Sequence, residues 1–492
     1  MATPLVVHAH IYQPPRENPI TGRIDRQPSA APFHDWNERV HAECYGPNTA
    51  ASIPTEMGEL VVNNFERISF DAGPTLLMWL EHAHPDTYLK ILEADRKSLD
   101  RLGHGNAIAQ GFHHSILPLC APRDARTEIR WGLADFSHRF SRAADGLWLP
   151  ETAANQDVLE MLIDESVGFT VLAPGQIAQW REQGAEEWVS ASDVQPESAH
   201  GYSYLHRDGS GRSIALFPFD GDLAHAIAFD NAASSAERLV DLLSHLAEEP
   251  GKLVHVATDG ETYGHHWRFG DLGLAYALFM EAPTRGLDPT NYSAFLAASP
   301  PEHEARLGPA GTSWSCSHGV EQWRSDCGCS TGGKDGWNQE WREPLRSALN
   351  ALSDASHEVY ERLATPLLAD PWGARDRYVD VVIGRVPLEQ FIGLESAGPR
   401  SEANEQTARW LLEMERYTLA MFTSCGWFFA DVGGIETAQI LRYAGRVVEL
   451  MKDLGQNVPQ TFFEVLSTAT SNDPDIGTGF DVFQEATAET VR

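Results

Sequence analysis

Histidines, carboxylates and tryptophans recur in this 492-residue chain at the ends of short β-rich runs. His8-Ala9-His10 closes the run 5–10, with Tyr12-Gln13-Pro14-Pro15 after it, and Asp71 closes the run 68–71. The run 106–110 leads into Gly111-Phe112-His113-His114, and 146–149 carries Trp148 into Pro150-Glu151. The run 214–217 leads to Asp220, and 253–257 to Asp259-Gly260-Glu261, then His265-His266-Trp267. Two chemistries use such residues. A pair of carboxylates, one ionised and one protonated, cleaves a glycosidic bond, and here the pair would be Glu151 and Asp259. Alternatively His8, His10, His114 and Asp259 ligate a single metal ion that activates water, as a carbohydrate deacetylase would. A binuclear site bridged by a carbamylated lysine does not fit. None of the five lysines (Lys90, Lys97, Lys252, Lys334 and Lys452) falls at the end of one of these runs.

The elements that position these residues follow from periodicity. A seventh β-rich run lies at 169–172, and amphipathic stretches at 75–102, 124–140, 157–167, 236–246 and 272–281 separate the runs. Strand, crossover helix, strand, repeated, predicts an α/β fold with a parallel sheet covered by helices, and seven such strands predict a (β/α) barrel. In parallel barrels the working residues occupy the C-terminal ends of the strands, which is where the clusters above fall. The barrel is expected over residues 1–285, with an inserted hairpin at about 189–212. Seven Pro or Gly within 285–312 mark a linker, and residues 286–337 are read as that linker and a Cys- and Trp-rich loop at the barrel mouth. Apolar residues at helical spacing (Trp341, Leu345, Leu349, Leu352; Trp410, Met414, Tyr417, Met421; Ile440, Ala444, Val447, Met451, Leu454) predict an all-α helical bundle over 338–470. The stretch 471–492 reads as a loosely ordered polar tail.

Composition bounds the partners. Seventy acidic against 37 basic side chains give a formal charge of -33. Such a surface repels nucleic acid and anionic membranes. No stretch approaches the roughly 20 apolar residues of a membrane helix, and the N-terminus has no signal-peptide pattern, so a cytoplasmic location is expected. Six cysteines in a chain this long make no disulfide scaffold. The acidity, with lysine scarce, has two readings: adaptation to high salt, or an Arg- and Ala-favouring genome.

The blocks named above resemble glycoside hydrolase family 57, which holds α-amylases, 4-α-glucanotransferases and glycogen branching enzymes. His8-Ala9-His10-Ile11-Tyr12-Gln13-Pro14 resembles its first block and Phe112-His113-His114-Ser115-Ile116-Leu117-Pro118-Leu119 its second. Gly146-Leu147-Trp148-Leu149-Pro150-Glu151 resembles the block that supplies the nucleophile. Thr258-Asp259-Gly260-Glu261-Thr262-Tyr263-Gly264-His265 resembles the acid/base block. Thr423-Ser424-Cys425-Gly426-Trp427-Phe428-Phe429 resembles a block of the helical domain, and Asn64 to Leu80 also has the family's look. The Cys-rich stretch and a Gly-Ile-Glu-Thr run resemble a less characterised branch with its own C-terminal helical domain. The resemblance implies a seven-stranded barrel, a retaining mechanism and no required metal or other cofactor. It makes Glu151 the nucleophile and Asp259 the acid/base, with Glu261 as an orienting neighbour. A retaining pair should stand about 5–5.5 Å apart. His10 and His114 are expected to hydrogen-bond the sugar, Asp220 to bind a sugar hydroxyl, and His265 to orient substrate or acid. Trp148 and Trp427 are expected to be stacking platforms for a pyranose face. The substrate is then an oligo- or polysaccharide, an α-glucan.

Cys316-Ser317-His318 and Cys327-Gly328-Cys329 are the remaining chemical cluster. Three thiols and an imidazole can bind zinc. Neither pair has the usual Cys-x-x-Cys spacing, so the segment is read as a covering loop and no metal is assigned.

Overall fold

The computed structural model describes residues 2–56, 58–247, 252–398 and 401–488. The chain divides into two compact units. The first comprises Met1–Gln13, Arg26–Gln110 and Phe136–Trp314; the second comprises Pro14–Asp25, Gly111–Asp135 and Ser315–Arg492.

Seven strands organise the first unit: β1 (Thr3–Ile11), β2 (Ser69–Ala72), β3 (Ala107–Gln110), β4 (Leu147–Trp148), β5 (Phe169–Leu172), β6 (Ser213–Pro218) and β7 (Val254–Asp259). Each coincides with a run read from the sequence, because β-branched and aromatic residues bounded by turn formers suit a buried pleated surface. Parallel ladders run β7-β1-β2-β3-β4. A bridge from Gly146 to Phe169 connects β4 to β5, and β5 pairs with β6 in parallel. Just beyond β6, the Asp220 N–H donates to the His255 carbonyl of β7 at 3.2 Å. Register then sets the chemistry. His10 lies opposite Asp259 on one side and Asp71 on the other. Paired residues of parallel neighbours share a face, so these three residues form a row across the C-terminal ends of three strands.

Three expectations for this unit need correction. The stretch 75–102 is two helices, Pro74–Ala83 and Pro85–Leu102, since Pro85 cannot continue the first. The segment 189–212 is no separate hairpin. Val189–Ser190 pairs back with Ile177–Glu182, and Tyr202–Leu205 pairs with β6, extending the β5–β6 sheet outward. Residues 286–312 are structured rather than a linker. Leu287–Pro289 pairs with β1, Tyr292–Ala298 is helical and His303–Leu307 pairs with Ile177–Glu182. Pro289 is tolerated because its strand is at an edge.

In the second unit every regular element described from Arg342 onward is a helix. Arg342–Ala364, Glu402–Ala420 and Ile435–Asp453 bury Leu345, Leu349 and Leu352, then Met414, then Ile440, Ala444, Val447 and Met451, along the stripes seen in the sequence. Residues 471–488 are not a loose tail. Gly479–Ala488 is a helix that buries Val482, Phe483 and Ala486, with the Phe483 ring 5.4 Å from Phe462. Residues 489–492 lie outside the described residues.

Candidate active site

The row at the strand ends is fixed by one buried carboxylate. Asp71 accepts hydrogen bonds from two imidazoles: its Oδ1 lies 3.0 Å from His8 Nε2 and its Oδ2 2.8 Å from His10 Nδ1. His8 also engages Ser69 Oγ through Nδ1 at 3.0 Å. Both ring nitrogens of His8 are therefore occupied by protein partners, which does not suit a metal ligand. The two imidazoles differ in charge state. Burial lowers His8, outweighing the pull of Asp71. Burial also opposes a charged His10, but Asp71, followed by Asp259 and Glu261, overcomes it and raises His10 to about 9. The row thus holds a neutral His8 and a cationic His10 beside two further carboxylates.

Trp148 underlies this arrangement. Its ring stacks on His8 at 4.9 Å and on His10 at 5.0 Å, and Trp314 meets it edge-on at 5.1 Å. The side chain is wholly buried. Trp148 is therefore not a sugar platform as expected; its faces are taken by the imidazoles it supports.

Glu151 follows β4 in a strained turn. Both Glu151 (φ 56°) and Thr152 (φ 50°) adopt left-handed backbone, which non-glycine residues rarely do. A β-branched residue such as Thr152 pays most for it, and such strain persists only where surrounding bonds over-determine it. Those bonds are present. Gln176 accepts from Thr152 Oγ1 and donates to the Thr152 carbonyl, both at 2.8 Å. Ala154 pairs with Thr312, and the Trp314 N–H donates to the Glu151 carbonyl at 3.1 Å. Trp314 also donates its indole N–H to Glu151 Oε2 at 2.8 Å, while its ring lies 6.0 Å from that of His10. The turn presents a largely buried Glu151 carboxylate with one oxygen aligned.

Asp259 ends β7 with an exposed side chain. The next residue must be small, since a Cβ on Gly260 would meet Ile11 Cγ1 at 2.6 Å and the His10 carbonyl at 3.1 Å. This close passage brings Glu261 over the end of β1. There it accepts the Tyr12 N–H at 3.2 Å and the Tyr45 hydroxyl. Burial, then the neighbouring Asp259 charge, raises Glu261 to about 7. Glu261, expected as an orienting neighbour, is a carboxyl whose charge is suppressed beside one that is exposed.

The other candidates are placed as follows. Asp220, expected to bind a sugar hydroxyl, caps the helix Gly221–Phe229 by accepting the Leu223 N–H through Oδ1 at 2.8 Å. His265 Nδ1 pairs with Glu43 Oε2, and its ring meets Trp36 edge-on at 6.1 Å. His114 and Trp427 belong to the second unit. His114 Nδ1 hydrogen-bonds Ser424 Oγ at 2.7 Å, and the Ser424 N–H donates to the His114 carbonyl at 3.0 Å. Trp427 is fully buried, with the Arg346 guanidinium 4.0 Å over its ring and Phe422 parallel to it. It is core packing, not a sugar platform.

Sequence reasoning placed Trp314 in the Cys- and Trp-rich loop without seeing its bond to Glu151, and missed Tyr45 and the bridging role of Asp71. For Trp314 the signal was its place, with Trp323, in the loop expected to cover the barrel mouth. Asp71 was visible as a strand-end acid, and nothing in the sequence singled out Tyr45.

The chain is similar to known proteins along most of its length. A family model described as glycosyl hydrolase family 57 matches residues 38–284, about half of the chain. A second, described as a domain of unknown function (DUF3536), matches residues 337–491. A 4-alpha-glucanotransferase of Thermococcus litoralis is 27% identical over 227 residues, 46% of this chain and 30% of that protein. Alpha-amylase 1 of Dictyoglomus thermophilum is 25% identical over 189 residues, 38% of this chain and 24% of that protein. The matches thus span less than a third of these relatives' length. Among solved structures, an exo-type maltose-forming amylase from Pyrococcus sp. ST04 superposes with a TM-score of 0.72 at 15% identity, covering 100% of this chain and 89% of that one. A branching enzyme from Pyrococcus horikoshii gives a TM-score of 0.57 at 15% identity, covering 100% and 95%. These two likenesses concern the fold.

Proposed function

The chain belongs to glycosyl hydrolase family 57. On that footing we propose that it is a retaining glycoside hydrolase or transglycosylase acting on an α-glucan such as glycogen, starch or maltodextrin. Its architecture in this reading is a seven-stranded (β/α) barrel followed by a helical C-terminal domain. The observation that carries the reading is the strained, tightly stitched turn that aligns Glu151 through Trp314, in the same unit as the His10 row that ends at Asp259. Strained non-glycine backbone held by surrounding bonds clusters at active sites.

Glu151 attacks the anomeric carbon while Asp259 protonates the leaving glycosidic oxygen. The same Asp259 then takes a proton from water or from an acceptor hydroxyl. Exposure suits Asp259 to exchanging protons with incoming water or sugar. Cationic His10 offsets the negative charge gathered at the strand ends.

Incubation with maltooligosaccharides of defined length tests this, with product lengths and linkages read by chromatography and NMR. The wild type should yield shortened or rearranged α-glucans with retained configuration. Glu151→Gln should abolish turnover in a folded protein. Substantial residual activity in that variant, or inverted products, would refute the assignment.

A further inference from the structure

Among the described residues, four side chains of the second unit converge as metal ligands do. One ligand atom each from Cys316, His318, Cys327 and Cys329 lies within 4.8 Å of all the others. Cys316 Sγ and Cys327 Sγ are 3.9 Å apart, and Cys329 Sγ is 3.4 Å from His318 Nδ1. With Zn–S of about 2.3 Å and Zn–N of about 2.0–2.1 Å, tetrahedral edges come to roughly 3.8 Å for S···S and roughly 3.5 Å for S···N. Both observed separations match. A disulfide requires about 2.05 Å, and none of these cysteines is in one. Glycines in left-handed backbone turn the chain at both pairs, Gly328 (φ 82°) between Cys327 and Cys329 and Gly319 (φ 88°) directly after His318.

A second observation concerns charge. Arg342 is wholly buried and donates from Nη1 to the Cys329 carbonyl at 2.6 Å, while its Nε has no hydrogen-bond partner. A buried cation is stabilised by nearby negative charge, and thiolates at these cysteines would add to it.

We propose that Cys316, His318, Cys327 and Cys329 form a closed tetrahedral Zn2+ site. Binding releases three S–H protons to solvent and uses the neutral imidazole of His318, so three thiolates and Zn2+ leave a net charge of one negative beside Arg342. Soft thiolate ligands select zinc over hard cations. Four protein ligands leave no position for water or sugar, so the metal is structural. It clips residues 315–341, whose only described helical turn is Glu321–Trp323, at the entrance to the helix Arg342–Ala364. The proposal is independent of the assignment of Glu151 and Asp259.

Elemental analysis of the full chain, purified without chelators, should find one zinc per chain. Replacement by Co2+ should give the intense visible bands and thiolate charge-transfer absorption of a tetrahedral thiolate site. Cys327→Ser combined with Cys329→Ser should lose the metal. If that variant fails to fold, the cobalt spectrum of the wild type decides alone. A folded wild type that carries no stoichiometric zinc, takes up neither Zn2+ nor Co2+ and leaves these thiols open to a disulfide reagent would overturn the proposal.

Discussion

Trp314 holds Glu151 twice, by its indole N–H to Oε2 at 2.8 Å and by its backbone N–H to the carbonyl at 3.1 Å. One residue thereby fixes both the orientation of the carboxylate and the turn that carries it. Trp314→Phe removes the first bond and keeps the second. A hydrogen bond to a charged group is worth about 1.5–3 kcal/mol, so kcat on maltooligosaccharides should fall by about 10–100-fold with the far-ultraviolet spectrum unchanged. An unchanged kcat would mean that the indole does not align the nucleophile.

Left-handed backbone at Glu151 gives a prediction about stability. Residues with a Cβ pay about 1–2 kcal/mol there and glycine does not. Glu151→Gly should therefore be inactive yet more stable in urea than Glu151→Ala by about 1 kcal/mol. Equal stabilities would show that the turn is not strained.

Asp71 binds the proton of His10 as well as its ring. His10 is raised to about 9 from its ordinary 6.5. The folded state therefore holds this proton more tightly, and the resulting stabilisation is fully present below pH 6.5 and is lost as the pH rises through 9. Asp71→Asn should lower stability by about 3 kcal/mol near neutral pH and flatten the loss between those two pH values. Urea melts across that range measure both.

Glu261 behaves in the opposite sense to a salt-bridged acid. It is raised to about 7 from 4.5, so between those values the unfolded chain ionises first and stability falls as the pH rises. Glu261→Gln keeps an acceptor for the Tyr12 N–H and the Tyr45 hydroxyl, and should remove that fall. Melts of the two proteins that run parallel from pH 4.5 to 7 would contradict the assignment.

Gly260 should tolerate no side chain. Gly260→Ala places a methyl group 2.6 Å from Ile11 Cγ1, and overpacking of this kind costs about 1–3 kcal/mol. Activity should fall more than stability, because the same shift displaces Glu261 and Asp259. Denaturation and turnover measured on one preparation separate the two effects.

The legible parts of this molecule are those governed by periodicity. Apolar runs marked β1 to β7, and the apolar stripes marked the long helices of the second unit. The strand-end rule then placed Glu151, Asp259, His10 and Asp71 in one unit, because register in a parallel sheet follows from strand order. What the sequence could not carry was contact made by non-local neighbours. Trp148 and Trp427 are aromatic residues in suggestive blocks, and only the imidazoles and the guanidinium facing them reveal that their faces are occupied. Trp314 was read as part of a covering loop, but its bond to Glu151 had no sequence signal, and the glycines and prolines before it that read as a linker punctuate short paired segments. The left-handed turn at Glu151 has no compositional signal at all, since neither Glu nor Thr favours it.

The division of the chain into interleaved segments has a consequence for biosynthesis. The second unit takes Pro14–Asp25 and Gly111–Asp135 from within the span of the first. His114 reaches its partner Ser424 only 310 residues later. At roughly 5–20 residues per second, the ribosome needs about 15–60 seconds to make that partner. Throughout that interval Phe112, Ile116 and Trp131, all buried in the finished protein, lack the segment that completes their unit. The nascent chain is therefore open to chaperones and to self-association until its last third emerges, and truncation before residue 423 removes the bonds from Thr423 to His113 and from Ser424 to His114.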